Sequence, residues 1–187
     1  MSDLATRAAV AGREVEAAVA AVDPVAFGAL VAAIAGARRI VLSGAGREGL
    51  MMRALAMRLY HIGCDAHVAG DMSCPPLGPG DLLFVSAGPG DLPTIEALVG
   101  VAQRAGATVA CLTGTPQGPV PRRSDLVLTI PAQTMANDRG KAATSILPMG
   151  SVFEGAMFLL FELLVLDLRD RMGVTSEAMR ARHTNLE

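Results

Sequence analysis

The sequence predicts a three-layer, doubly wound α/β sandwich built on a five-stranded parallel sheet. Five short β-type runs, RRIVLSG (38–44), DAHVAG (65–70), DLLFVSA (81–87), ATVACLTG (107–114) and SDLVLTIP (124–131), punctuate segments of helical periodicity. Their continuous apolar stretches suit strands covered on both faces, and helices between successive strands imply right-handed parallel crossovers. Composition agrees: 51% of residues are hydrophobic but only 3% aromatic, so small, smooth side chains must pack helices closely against the sheet.

Two helical segments come first, about 3–22 and 24–36, divided at Asp23-Pro24, where a proline suits the first turn of a new helix. Helices are expected near 47–62 and 92–105, with a short linking helix near 118–123. After the last strand come a long helix, about 151–172, and a short one, about 175–184. No internal repeat or disordered linker interrupts this order. A length of 187 residues fits one domain, spanning 1–187, large enough to bury a sizeable core.

The formal charge of −2 and the scattered Lys and Arg residues predict neither a nucleic-acid surface nor a polybasic membrane patch. The most apolar stretch, AMFLLFELLVLDL (156–168), is interrupted by Glu162 and Asp167. It falls short of the roughly 20 apolar residues that cross a bilayer, and reads as a buried helix or subunit interface. Three cysteines, Cys64, Cys74 and Cys111, without a framework spacing fit free thiols. The N-terminus lacks the basic start and apolar run of a signal peptide, so a cytoplasmic location is expected. His61, Cys64 and His67 straddle a helix end and a strand start, which favours packing over a metal site.

In a doubly wound sheet, ligands bind at the carboxyl ends of the strands. Two glycine-rich loops fall there: GAGREG (44–49) after the first strand and AGPGD (87–91) after the third. Both lead into helices, whose free N–H groups favour anions or polar oxygens. GAGREG also spells a dinucleotide fingerprint, a weak signal alone. A dinucleotide domain normally supplies one such loop and needs further chain for its substrate. Two facing loops suit a compact, single-piece ligand better.

With these loops the chain resembles a sugar isomerase (SIS) domain, and within that family the 6-phospho-3-hexuloisomerases. The resemblance rests on GAGREG with MRLYHIG (57–63), on GDLLFVSAGPGD (80–91), on LPMGSVFE (147–154) and on the terminal RHTNLE (182–187). It implies a flavodoxin-like sandwich, homodimers or homotetramers with shared active sites, and cofactor-independent transfer of a carbonyl between adjacent carbons of a sugar phosphate. It also implies substrate contacts from Ser43, Gly46, Arg47 and Glu48 in the first loop, and from Ser86, Gly88, Gly90 and Asp91 in the second. Thr144 and Ser145, just before LPMG, are placed in a loop facing the same pocket. The loops depart from the family pattern. Glu48 stands where a serine is usual, and Ala87, Pro89 and Leu92 interrupt the usual S-G-S-G-E-T. A phosphate dianion needs several donors and is repelled by a carboxylate. A free or sulfonated sugar is therefore the alternative ligand, and a non-catalytic sugar-binding module the alternative role.

Glu154 holds the family's position for the base that moves a proton through an enediol. Ser151-x-x-Glu154 also spells a capping box, in which the glutamate folds back onto the helix start. His183 has the near-neutral pKa that suits ring opening or protonation of a carbonyl oxygen, and the resemblance implies that it is donated across a subunit interface. Arg47 either meets a substrate anion or hydroxyl, or pairs with Glu48 or Asp71.

Overall fold

The computed structural model describes residues 3–186. Asp3 caps the first helix, α1 (Leu4–Ala20), by accepting the Thr6 N–H at 2.7 Å. Asp23 caps α2 (Pro24–Gly36) by accepting the Val25 N–H at 3.0 Å, so Asp23-Pro24 ends one helix and starts the next. The chain then runs β1 (Ile40–Ser43), α3 (Gly46–Ile62), β2 (Ala66–Val68), β3 (Leu82–Ser86), α4 (Pro93–Arg104) and β4 (Thr108–Thr113). It closes with α5 (Pro119–Arg122), β5 (Leu126–Thr129), α6 (Ser151–Met172) and α7 (Ser176–Ala181). The predicted strands are all present, each shorter than its apolar run, because the run includes flanking loop residues.

The five strands pair in parallel in the order β2-β1-β3-β4-β5. After β1 the chain steps outward to β2, then returns to the other side of β1 to form β3. That reversal is the switch point of the sheet, and it puts the loops after β1 and β3 side by side. The strand period of two divides the core. Leu42, Phe84, Leu112 and Leu128 face a layer built with α2, α3 and α6, whereas Val41, Leu83, Val109 and Cys111 face α4. In α6, Phe153, Met157, Leu160, Phe161, Leu164 and Leu168 are buried against α1, α2 and α3. Phe158, Leu159, Leu163 and Leu166 form an exposed apolar strip on the opposite side. Among the described residues no single helix is long and apolar enough to cross a membrane.

The glycines of GAGREG divide their work. Gly46 has a φ of 55°, the left-handed region that favours glycine, and starts α3. Gly44 and Gly49 allow strand end and helix to touch: a Cβ on Gly49 would stand 2.6 Å from the Gly44 carbonyl oxygen. No flexible side chain lies there to move aside. Gly49→Ala is therefore expected to destabilise the fold by about 1–3 kcal/mol, the usual range for overpacking. Urea denaturation checks this, and an unchanged midpoint would remove the close-packing account of the motif.

Candidate active site

A cleft of about 320 Å³ opens at the switch point. The start of α3 contributes Gly46, Arg47 and Glu48, the loop after β3 contributes Pro89 and Leu92, and α6 contributes Phe153 and Glu154. Thr134, Met135 and Met149, from the long connection between β5 and α6, close the remaining side.

Arg47 joins these parts. Its Nη1 donates to Ser151 Oγ at 2.6 Å and its Nη2 to the Met149 carbonyl at 2.5 Å, while Nη2 also stands 3.3 Å from Glu154 Oε1. The planar guanidinium serves three acceptors because its donors diverge in a fixed fork. The turn before α6 is shaped to receive it. Met149 and Gly150 have successive left-handed φ values of 57° and 74°, and a Cβ on Gly150 would lie 2.5 Å from the Met135 nitrogen. A methionine in that conformation is uncommon. Here it directs a backbone carbonyl at the arginine.

The geometry settles how α6 begins. Its N-cap is Gly150, without a side-chain cap, and Ser151 is already the first helical residue. Ser151 Oγ donates to the Pro148 carbonyl at 2.6 Å while accepting from Arg47. The capping box spelled by Ser151 and Glu154 is thus not formed, because its serine stands one residue too late. The Glu154 side chain lies instead in the cleft, 16% exposed, with Oε2 buried and lacking a hydrogen-bond partner among the described residues. Burial pushes its carboxyl above the usual range, its own N–H and Arg47 pull it back, and Glu48 pushes it up again.

Glu48 is buried between the two loops. Its Oε2 accepts from Ser86 Oγ at 2.5 Å and from the Gly88 N–H at 2.9 Å. Gly88 leaves the room: a Cβ there would stand 2.7 Å from Glu48 Oε1 and 2.9 Å from the Phe153 ring. Burial raises the Glu48 carboxyl, outweighing the opposing pull of both hydrogen bonds and of Arg47. The predicted alternative for Arg47 needs correction in part. Its close partner is Glu154, with Glu48 acting only through the electrostatic field, and Asp71 pairs with Arg53 at 3.1 Å.

The structure thus gathers Gly46, Arg47, Glu48 and Glu154 around one cleft, with Ser86 and Gly88 beneath it as partners of Glu48. Five other predicted contacts stand away from it. Ser43 is buried at the end of β1. Gly90, with φ 79°, turns the chain so that its carbonyl accepts the Val120 N–H at the start of α5, and Asp91 beside it is exposed. Thr144 and Ser145 do not face the Glu154 cleft. They line a separate cavity of about 240 Å³ against α1, where Glu14 accepts from Ser145 Oγ at 2.5 Å and from the Ile146 N–H at 3.2 Å. The carboxylate from α1 draws that segment away from the cleft.

His183 lies at the far end of α3. Its ring stacks on His61, centroids 5.3 Å apart, and Arg182 Nη1 donates to the His61 carbonyl at 3.1 Å. Along α3, His61 stands 14 residues beyond Arg47, about 21 Å at 1.5 Å per residue. Within one chain His183 and Glu154 are not brought together. His67 turns to Asp65 at 2.7 Å, so it does not converge with His61 and Cys64. Thr134, Met135, Met149 and Phe153 are cleft residues that sequence reasoning missed. Met149 and Phe153, both within LPMGSVFE beside Glu154, carried a usable signal.

A parallel sheet with two glycine-rich loops and a half-buried carboxylate at its switch point defines the class, and comparison with known proteins agrees. The SIS domain model matches residues 33–159, and the chain belongs to the SIS domain family. It is 36% identical over 185 residues to a 3-hexulose-6-phosphate isomerase of Mycobacterium gastri, covering 99% of this chain and 92% of the relative. It is 34% identical over 154 residues to the 3-hexulose-6-phosphate isomerase of Bacillus subtilis, covering 82% and 83%. A crystal structure from Methanococcus jannaschii, from which a molecular function of 3-hexulose-6-phosphate isomerase was inferred, superposes with a TM-score of 0.82 at 22% identity, covering 95% of this chain and 97% of that one.

Arg47→Lys keeps the charge but cannot serve Met149, Ser151 and Glu154 together. A loss of about 1 kcal/mol is expected, since the bonds are charge-assisted but partly exposed. Chemical denaturation at neutral pH measures it. Stability equal to that of the unsubstituted protein would mean that the guanidinium does not hold the cleft together.

Proposed function

We propose that this protein is a sugar isomerase of the kind its named relatives represent, moving a carbonyl between adjacent carbons of a hexose-sized ketose or its phosphate ester. The observation that carries this reading is Glu154: a carboxylate in a cleft, kept out of its helix cap, with one oxygen held by Arg47 and the other without a partner among the described residues. A carboxyl raised by burial is a stronger base than an exposed one.

Glu154 removes the proton from the carbon next to the carbonyl. The C–H electron pair becomes the carbon–carbon double bond of an enediol, and the former carbonyl oxygen takes the charge. Returning the proton to the other carbon, with a proton passing between the two oxygens, completes the transfer. Carbon is oxidised at one position and reduced at its neighbour, so the steps balance without an external oxidant or reductant. Arg47 and the first N–H groups of α3 stand where they stabilise the oxyanion as it forms.

The reading places His183 in the site of a second copy. Its separation from its own chain's cleft and the apolar strip of Phe158, Leu159, Leu163 and Leu166 support a homodimer or homotetramer with shared sites. Free thiols at Cys64, Cys74 and Cys111 support a reducing, cytoplasmic location.

Glu154→Gln is expected to leave the fold intact, because glutamine keeps the shape of the side chain and no capping box depends on the carboxylate. It should slow isomerisation by about 10²–10⁴-fold, the range of a lost general base. Solvent deuterium entering the substrate carbon, followed by NMR, reports that step, and normal incorporation would remove Glu154 from the chemistry. A mixing experiment addresses His183. Glu154→Gln and His183→Ala chains, each inactive alone, should recover activity when unfolded and refolded together. Failure to recover it, with mixed oligomers demonstrated by mass, would place His183 outside the shared site.

A further inference from the structure

Glu48 is not used by the proton transfer, yet it is the most buried charge lining the cleft. Its carboxylate takes the Ser86 hydroxyl and the Gly88 N–H, the donors that the second loop presents at that point. The next residue, Pro89, has no N–H, and Leu92 offers only hydrocarbon to the cleft. Arg47 is engaged by Met149, Ser151 and Glu154. Of the described residues lining the cleft, two are acidic and one is cationic. A phosphate ester carries a charge of about −1.5 to −2 at neutral pH. Seated against the loops, it would meet the Glu48 carboxylate with few uncommitted donors. A sugar hydroxyl differs, because it donates to a carboxylate oxygen and brings no second negative charge to it.

Resting on the isomerase reading above, we propose that Glu48 is a specificity-determining residue. It holds the place of an anion between the two loops, so that the cleft prefers a ketose whose non-reacting end is uncharged and hydroxylated over the phosphate ester of the same ketose. Burial of the Glu48 carboxyl is compatible with this role, since an approaching dianion would raise the cost of its charge further.

The test compares a 3-hexulose with its 6-phosphate on the intact protein, by isomerisation rate and by calorimetric Kd. The wild type should favour the free sugar by about tenfold or more in kcat/KM, equivalent to about 1.4 kcal/mol. Glu48→Gln keeps the shape and removes the charge, and should move the ester-to-free ratio by about tenfold toward the ester. Glu48→Ser, which opens space as well, should move it at least as far and serves if the glutamine variant does not fold. A wild type that prefers the ester overturns the proposal. So does a ratio that neither variant changes. If neither sugar is isomerised but the free sugar binds more tightly and the ratio of Kd values shifts in the variants, the isomerase reading fails while the specificity assignment stands. Absence of binding by both sugars overturns the assignment too.

Discussion

Arg47 sits between two buried or half-buried carboxyls and is the contact on which the cleft depends. It rises from the first turn of α3 and reaches the turn before α6, so the strand-end loop and the long C-terminal helix are held by one side chain. Without it, Glu154 and Glu48 would repel each other across a poorly solvated space. With it, the Glu154 carboxylate is oriented and its upward shift restrained, while Glu48 is fixed to the second loop by Ser86 and Gly88. The unusual backbone at Met149 and Gly150 belongs to the same arrangement, since it points a carbonyl at the guanidinium. A strained turn next to a charged side chain persists only when surrounding contacts over-determine it.

The fold explains why this chemistry sits where it does. Reversal of strand order at β1 and β3 leaves a crevice at the carboxyl edge of the sheet, and the starts of two helices face it. GAGREG is the spelling of a tight strand-to-helix join, in which Gly44 and Gly49 provide contact and Gly46 the left-handed turn. Glu48 fills the space between the loops with the chain's own carboxylate, which supports a sugar-site turn over a pyrophosphate-binding one. The same frame accepts different ligands by changing a few loop residues, so fold and family leave selectivity to positions such as 48, 89 and 92.

Much of this was legible in the sequence. Continuous apolar strands, helical periodicity and the break at Asp23-Pro24 fixed the architecture locally, and strand and helix positions followed within a few residues. Arg47, Glu48 and Glu154 were legible because they adjoin glycine-rich turns or the LPMG segment. Other features depended on tertiary geometry. The capping-box spelling at Ser151 was misleading because the helix begins one residue earlier in register, a shift set by Gly150 and the Arg47 bonds. Thr144 and Ser145 are drawn out of the cleft by Glu14, more than a hundred residues away in sequence, a contact that no local pattern signals. Thr134 and Met135 lie in a connection without periodicity, and no local pattern marks them as lining the cleft.

The central claim is that Glu154 is an electrostatically coupled base, raised by burial and by Glu48 and restrained by Arg47. Carbon-13 NMR titration of glutamate side-chain carboxyls, assigned with Glu154→Gln, measures this directly. The account predicts that Glu154 titrates above the ordinary glutamate value of about 4.3. Neutralising its neighbour in Glu48→Gln should lower that midpoint, and removing the cation in Arg47→Ala should raise it. A Glu154 carboxyl that titrates at the ordinary value, unmoved by either substitution, would contradict the account.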